Sequence, residues 1–294
     1  MLAYAVALLI IVGIYTLLTI SLDLQYGFTG LVNFGQVGFF AIGAYTSALL
    51  ALHGVPIPFC FAAAIVLTAL AALPIGALAL RLREDYFAIV TLGFSEVVRL
   101  VLQNEEWLTK GSLGLPGIPR PFLSLGPGLA EVAYLLLVIG CNVVVVLLIR
   151  RLVASPFGRL LQAIRDNEVT VVSLGKSPPG AKVRALVLGA GIAGLAGALY
   201  VHYITFAVPD QFLPIITFYV WMAMVLGGVG SLRGSVAGAA VLVLILEGTR
   251  FLRDFLPGAL AVEMASVRLA MVGLLLIVFV LYRPQGIFGN RTRQ

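Results

Sequence analysis

The chain reads as an all-α polytopic membrane bundle of about nine spans. Three observations predict it. Hydrophobic residues make up 61% of the sequence and charged residues only 11%, against about 25% charged in an ordinary soluble domain. Mean hydropathy is +1.08. Apolar runs also recur at the length of roughly 20 residues that a helix needs to cross a bilayer. On that rule, spans fall near 2–22, 29–52, 57–80, 86–103, 130–150, 184–204, 212–230, 235–253 and 263–282. Counts of eight to ten stay open, because glycines in 23–40 could break a span into a re-entrant piece. Residues 1–294 form one transmembrane domain, interrupted by a polar loop over 151–183.

That loop orients the chain. Between two apolar runs stand Arg150, Arg151, Arg159, Arg165, Lys176, Lys182 and Arg184, against only Asp166 and Glu168. A basic loop between spans belongs on the cytoplasmic side. With it inside, Arg81–Asp85, the turn bearing Arg233 and the tail with Arg283, Arg291 and Arg293 are also inside. The outer segments then keep few cations, Lys110 and Arg120 among them, so the N-terminus lies outside and the C-terminus inside. The net charge of +6 therefore reflects span ends and one loop, and nucleic acid is not an expected partner. The first apolar run lacks a basic start and a cleavage site, so it reads as a retained span. Cys60 and Cys141 sit in or beside apolar runs and read as small buried hydrophobes.

Three segments depart from plain lipid-facing helix. In the second span, Thr29, Asn33, Gln36 and Gly43 recur at helical spacing on one face. Uncharged amides at membrane depth need partners, so that face points into the bundle, either along a hydrated path or into interhelical hydrogen bonds. In the fourth span, Thr91, Ser95 and Arg99 share a face, and Glu96 pairs with Arg99 at i,i+3. A charge at the bilayer centre costs about 2.5–3.5 kcal/mol on insertion scales, so these groups pair, snorkel or line water. Glu247 and Arg250 repeat the acid-then-base spacing. Finally, Gly189, Ala193 and Gly197 lie four apart, as do Ala190, Gly194 and Ala198, and Gly230, Gly234 and Gly238. Small residues at this spacing let helix backbones approach closely.

The chain offers no set of groups for chemistry of its own. The only histidines are His53 and His202, far apart in sequence, which gives no metal-ligand spacing. No serine stands in a nucleophile-elbow setting. Gly175-Lys176-Ser177 resembles the end of a phosphate-binding loop, but Thr170 occupies the position of its first glycine. The chain reads as holding no cofactor. If it moves solute at the expense of ATP, another protein binds the ATP and its Mg.

Within the loop, Gly158-Arg-Leu-Leu-Gln-Ala-Ile-Arg-Asp-Asn-Glu168, followed by Ser173-Leu-Gly175, closely resembles the cytoplasmic loop of the branched-chain amino acid ABC importer permeases, and within them the M-type subunits of leucine/isoleucine/valine systems. Further stretches are similar to that family: Tyr26–Gln36 with Phe39–Tyr45, Asp85–Arg99, Gly111–Pro119, and Ala193–Tyr200 with Leu226–Gly234. The similarity runs through nearly the whole chain in order.

The resemblance implies a non-enzymatic permease subunit of the bacterial inner membrane. A second, homologous permease, two cytoplasmic ATPase subunits and a periplasmic solute-binding protein would be its partners. The helix near Gly158, Arg159, Leu160, Leu161, Ile164, Arg165, Asp166 and Glu168 would couple to the ATPase. Leu160, Leu161 and Ile164 would give an apolar face to a groove, and the charged residues would make rim contacts. Thr29, Asn33, Gln36, Thr91, Ser95, Glu96 and Arg99 are the candidates for the translocation path. A urea or short-amide importer permease is the neighbouring alternative, and a stand-alone secondary transporter or channel a more distant one. The sequence departs from the family at Lys176–Lys182, where paired prolines forbid the helix to continue and are expected to reshape the exit from the coupling segment.

Overall fold

The structure, a computed structural model, describes residues 2–79, 82, 84–253, 273–274, 277, 281 and 285–288. The long helices are α1 (Leu2–Gln25), α2 (Gln36–Leu52), α3 (Ile57–Ala79), α4 (Glu84–Asn104), α6 (Pro127–Ala154), α9 (Pro178–Ile204), α10 (Ile215–Gly227) and α11 (Leu232–Arg253). Short helices α5 (Glu106–Thr109), α7 (Pro156–Asp166) and α8 (Glu168–Ser173) lie in the connections. Strands β1 (Leu115–Pro116) and β2 (Phe206–Ala207) pair antiparallel, with Leu115 opposite Ala207. Among the described residues, five helical segments are long and apolar enough to cross a membrane: Ala3–Gln25, Ile57–Leu78, Gly128–Ala154, Pro178–Ile204 and Pro209–Gly227. α2 is apolar but shorter.

α9 is the hub. Of its most apolar stretch, 78% is buried by the rest of the chain, against 22% for α6, so α9 sits centrally and α6 on the periphery. Its small residues explain how α1, α2 and α3 all reach it. A methyl group added to Gly43 of α2 would overlap Gly194, one on Gly197 would strike the Phe40 carbonyl, and one on Gly194 would meet Thr68 of α3. The close approach that the glycine spacing predicts is therefore present. Gly227, Gly234 and Gly238 do the same for α10 against α11.

Eight of the expected spans coincide with long helices, and their boundaries carry the corrections. The expected span 29–52 is helical only from Gln36; residues 26–35 form turns and irregular backbone between α1 and α2. Thr29 and Asn33 therefore do not share a helical face with Gln36. Gly30, at φ 78°, takes a left-handed conformation that side chains disfavour and ends the helical run. No helix continues from α8 into the paired prolines, as expected, and a new one begins at them. Pro178 and Pro179 open α9, where a missing N–H costs nothing because the first turn has no acceptor for it. The span expected from 184 thus starts earlier and takes Lys182 and Arg184 into its first turns. The expected span 212–230 is helical over Ile215–Gly227. Most of the expected span 263–282, the side chain of Arg250 and the basic tail lie outside the described residues.

Candidate functional site: a broken crossing tied to a surface helix

The break at 26–35 leaves irregular backbone buried in the bundle, and its polar groups are satisfied by several helices. Asn33 donates from Nδ2 to Gln25 Oε1 at 2.6 Å and to Gln36 Oε1 at 3.3 Å. Gln25 Nε2 also donates to Gln36 Oε1 at 3.3 Å. Gln36 Nε2 donates to Ser21 Oγ, whose hydroxyl donates to the Gly189 carbonyl of α9 at 2.6 Å. All four side chains are essentially fully buried. The amides expected on a helical stripe are thus brought together by a loop, and they close a network with Ser21 and Gln25.

The backbone of the break is capped by other helices. Phe34 N donates to Thr91 Oγ1 of α4 at 3.1 Å and Val37 N to Thr217 Oγ1 of α10 at 3.0 Å. Gly35 N donates to Asn33 Oδ1 at 2.7 Å, and Trp221 Nε1 to the Asn33 carbonyl at 3.0 Å. A methyl on Gly35 would collide with the Thr91 carbonyl, and one on Gly38 would press on Ser95. Non-helical backbone at membrane depth persists only where protein or a hydrated cavity satisfies it, and here protein does. Thr29 donates to the Leu24 carbonyl at 2.9 Å, a local bond that helps turn the chain.

At one end of the break lies α7. Ser155 caps it by accepting from Gly158 N, and Pro156 takes the first helical position. Gly158 is required there, because a methyl would overlap the backbone of Leu152 and Val153 at the turn from α6. Arg165 donates from Nη1 to the Gly27 carbonyl at 2.6 Å, and Gly30 packs on the Arg165 backbone. Beside it the buried Asp23 carboxylate accepts from Gly230 N at 2.7 Å and from Ser235 Oγ at 3.2 Å. Asp23 thus ties the end of α1 to the turn before α11, while Arg165 ties α7 to the same corner.

The apolar face of α7 points the other way from expectation. Leu161 and Ile164 are buried in the chain's own core and Leu160 is half-buried, because α7 needs that face to pack onto the bundle. What is exposed is Arg159 and Asp166, and on α8 Val169, Val172 and Leu174. Glu168, expected at a rim, makes an ion pair with Lys182 of α9 at 2.7 Å and anchors α8 from behind. Asp166 pairs with Arg165 at 2.6 Å.

α4 carries the other candidates. Thr91 and Ser95 also donate to backbone carbonyls within α4, those of Ala88 and Leu92. Arg99 holds both Glu96 carboxylate oxygens from Nε, at 3.0 and 3.1 Å, and Gln103 from Nη1 at 3.1 Å. Asp210, which follows β2, approaches Arg99 at 3.7 Å. Thr91 joins the break; Glu96 and Arg99 form a separate cluster at the opposite end of α4 from Glu84. Sequence reasoning missed Ser21, Asp23, Gln25, Thr217 and Trp221. An ionisable residue at the edge of an apolar run was the available signal for Asp23; nothing local marked the others.

Among the described residues, apolar helices form an all-α bundle around a broken crossing whose polar groups the chain itself satisfies, the architecture of a polytopic membrane protein. The family described as branched-chain amino acid transport system / permease component matches residues 4–280, and the chain belongs to that family. It is 33% identical to the high-affinity branched-chain amino acid transport system permease protein LivM of Salmonella typhimurium and 34% identical to that of Escherichia coli, over 93% of this chain and 67% of each relative. The probable branched-chain amino acid transport permease protein LivM of Methanocaldococcus jannaschii is 25% identical over 95% of this chain and 91% of its own length. No solved structure matches the chain significantly.

Proposed function

We propose that the chain is the membrane subunit of an ATP-driven importer that carries branched-chain amino acids across the inner membrane. The family match over residues 4–280 carries this reading, and the link between α7 and the broken crossing supports it. The chain pairs with a second, similar permease, rests on two ATPase subunits that bind ATP and Mg, and receives solute from a periplasmic binding protein. The α7–α8 end faces the cytoplasm and the N-terminus faces the periplasm, a reading that the basic residues of the 151–183 loop support.

The surface offered to the ATPase is the exposed row Val169, Val172 and Leu174 on α8, flanked by Arg159 and Asp166 of α7. These apolar side chains stand on a loop helix outside the crossing segments, where a groove on a partner would bury them. Push or pull on α8 reaches α7, then Arg165, then the break and its amides. The loop over 151–183 is the coupling loop, and the remainder of 1–294 is the translocating domain. The test is reconstitution with the ATPases and the binding protein: leucine uptake that requires ATP supports the reading, and uptake of urea or acetamide in its place overturns the substrate.

A further inference from the structure

At the end of the bundle opposite α7, one arginine lies against two stacked tyrosine rings with one edge of its guanidinium unpaired. The guanidinium carbon of Arg120 lies 5.6 Å from the ring centroid of Tyr134 and 5.1 Å from that of Tyr203. The two rings are themselves stacked, 5.8 Å apart. Tyr134 is fixed in turn, because its hydroxyl donates to the Leu199 carbonyl. The cation is therefore held over two aromatic faces, which fixes the plane of its guanidinium.

Its Nε and Nη2 are buried and have no hydrogen-bond partner. These two donors share one edge of the guanidinium, the edge that grips a carboxylate or phosphate with two parallel bonds. Unpaired buried donors are rare in native structures and costly, the more so on a charged group. A fork of this geometry is complementary to an oxyanion.

The segment carrying Arg120 is tethered beside the arginine and flanked by glycines in open space. On its inner side it is strapped down: Ile118 N donates to the Thr205 carbonyl at 3.2 Å, and His202 Nδ1 donates to the Pro119 carbonyl at 2.6 Å. His202 Nε2 takes the Ser47 hydroxyl at 2.8 Å, so a neutral ring protonated on Nδ1 satisfies both contacts. Gly117 and Gly126 flank the segment at φ 77° and 84°, and neither touches a neighbour at its Cβ position. A cavity of about 670 Å³ adjoins Pro119, Pro121 and Phe122, the residues on either side of Arg120, on the side of Phe61 and Leu137.

We propose that the Nε–Nη2 edge of Arg120 is an oxyanion receptor, occupied when the 117–126 segment shifts. The geometry is shared by two sources, the carboxylate of the solute entering from the periplasmic side and the phosphodiester of a lipid headgroup. The first source rests on the proposed function; the receptor itself does not.

The experiment measures the unfolding midpoint of the full chain in maltoside micelles, which carry no oxyanion, with added leucine, leucinamide or phosphatidylglycerol. A bound ligand raises the midpoint by mass action. A rise of several degrees with leucine and none with leucinamide assigns the solute carboxylate; a rise with phosphatidylglycerol alone assigns the lipid. R120K keeps the charge and the aromatic contact but not the fork, and it is expected to lose most of the shift; R120Q is expected to lose all of it. If R120Q does not fold, R120K still locates the site. No shift with leucine or with phosphatidylglycerol, or an undiminished shift in R120K, overturns the proposal. Absence of leucine uptake by the reconstituted importer would count against the proposed substrate and leave the phosphatidylglycerol arm standing.

Discussion

Arg165 of α7 donates to the carbonyl of Gly27 across 2.6 Å, and this bond joins the helix of the polar loop to the only irregular stretch between α1 and α2. The carbonyl belongs to a backbone that has left its helix, so it has an unused acceptor. The arginine supplies the donor from a different part of the chain. A displacement of α7 is therefore felt first at Gly27, within a few residues of the Asn33 amide.

Replacing Arg165 by Met keeps much of the stem and removes the bond. Leucine uptake by the reconstituted importer is expected to fall at least tenfold, while ATPase subunits still co-purify with the permease. Uptake within twofold of the wild type would show that the bond carries no coupling.

Gln36→Leu leaves the Asn33 and Gln25 donors and the Ser21 hydroxyl short of a partner in a buried network. Each orphaned buried group costs about 1–3 kcal/mol, so the unfolding midpoint in detergent is expected to drop by several degrees and uptake to slow. Asn33→Leu is expected to behave alike, because it strips Gln25 Oε1 of its donor and Gly35 N of its acceptor. An unchanged midpoint in both variants would mean that water replaces the lost bonds and that the network is loosely held.

How much of this was legible beforehand differs residue by residue. The helical bundle followed from composition and span length, because the bilayer leaves few alternatives to an apolar helix. The glycine spacing on α9 read correctly, since Gly194 and Gly197 pack where a four-residue period places them. The Asn33–Gln36 relationship read wrongly in geometry, because a 3.6-residue period was applied across a stretch that Gly30 turns out of the helix. The face of α7 was misjudged for a related reason. Leu161 and Ile164 mark an amphipathic helix, but periodicity does not say whether the apolar side serves a partner or the chain's own core.

Val172→Asp and Leu174→Asp place charges on the exposed row of α8, where the chain itself makes little use of the side chains. Folding is expected to be unaffected, with an unfolding midpoint within about a degree of the wild type, while ATPase co-purification is lost. The counterpart Leu161→Asp, at a fully buried position, is expected to abolish accumulation of the folded chain, since an unpaired buried charge is among the costliest substitutions. Equal behaviour of the three variants in a co-purification and melting experiment would contradict the division between the two faces.

Replacing Arg159 and Glu168 together removes one exposed cation and the carboxylate that holds Lys182. The expected result is uptake uncoupled from ATP hydrolysis in a subunit that still folds, read as phosphate release and solute uptake in the same vesicles. A preserved ratio of solute moved to phosphate released would remove Arg159 from the coupling surface and show that the Glu168 anchor is not needed for coupling.

The central claim is that motion enters at α7–α8 and reaches the amide network through the Arg165–Gly27 contact. The most direct measurement is the distance from spin labels on α8, at Thr170→Cys, and at the break, at Val32→Cys, each to a reference label on α6. It would be taken in the assembled importer of a cysteine-free chain, with and without trapped ATP. The account predicts that ATP shifts both labels together relative to the reference label on α6, and that Arg165→Met leaves the α8 label moving while the label at the break stays still. Movement of the break that persists at full amplitude in Arg165→Met would contradict it.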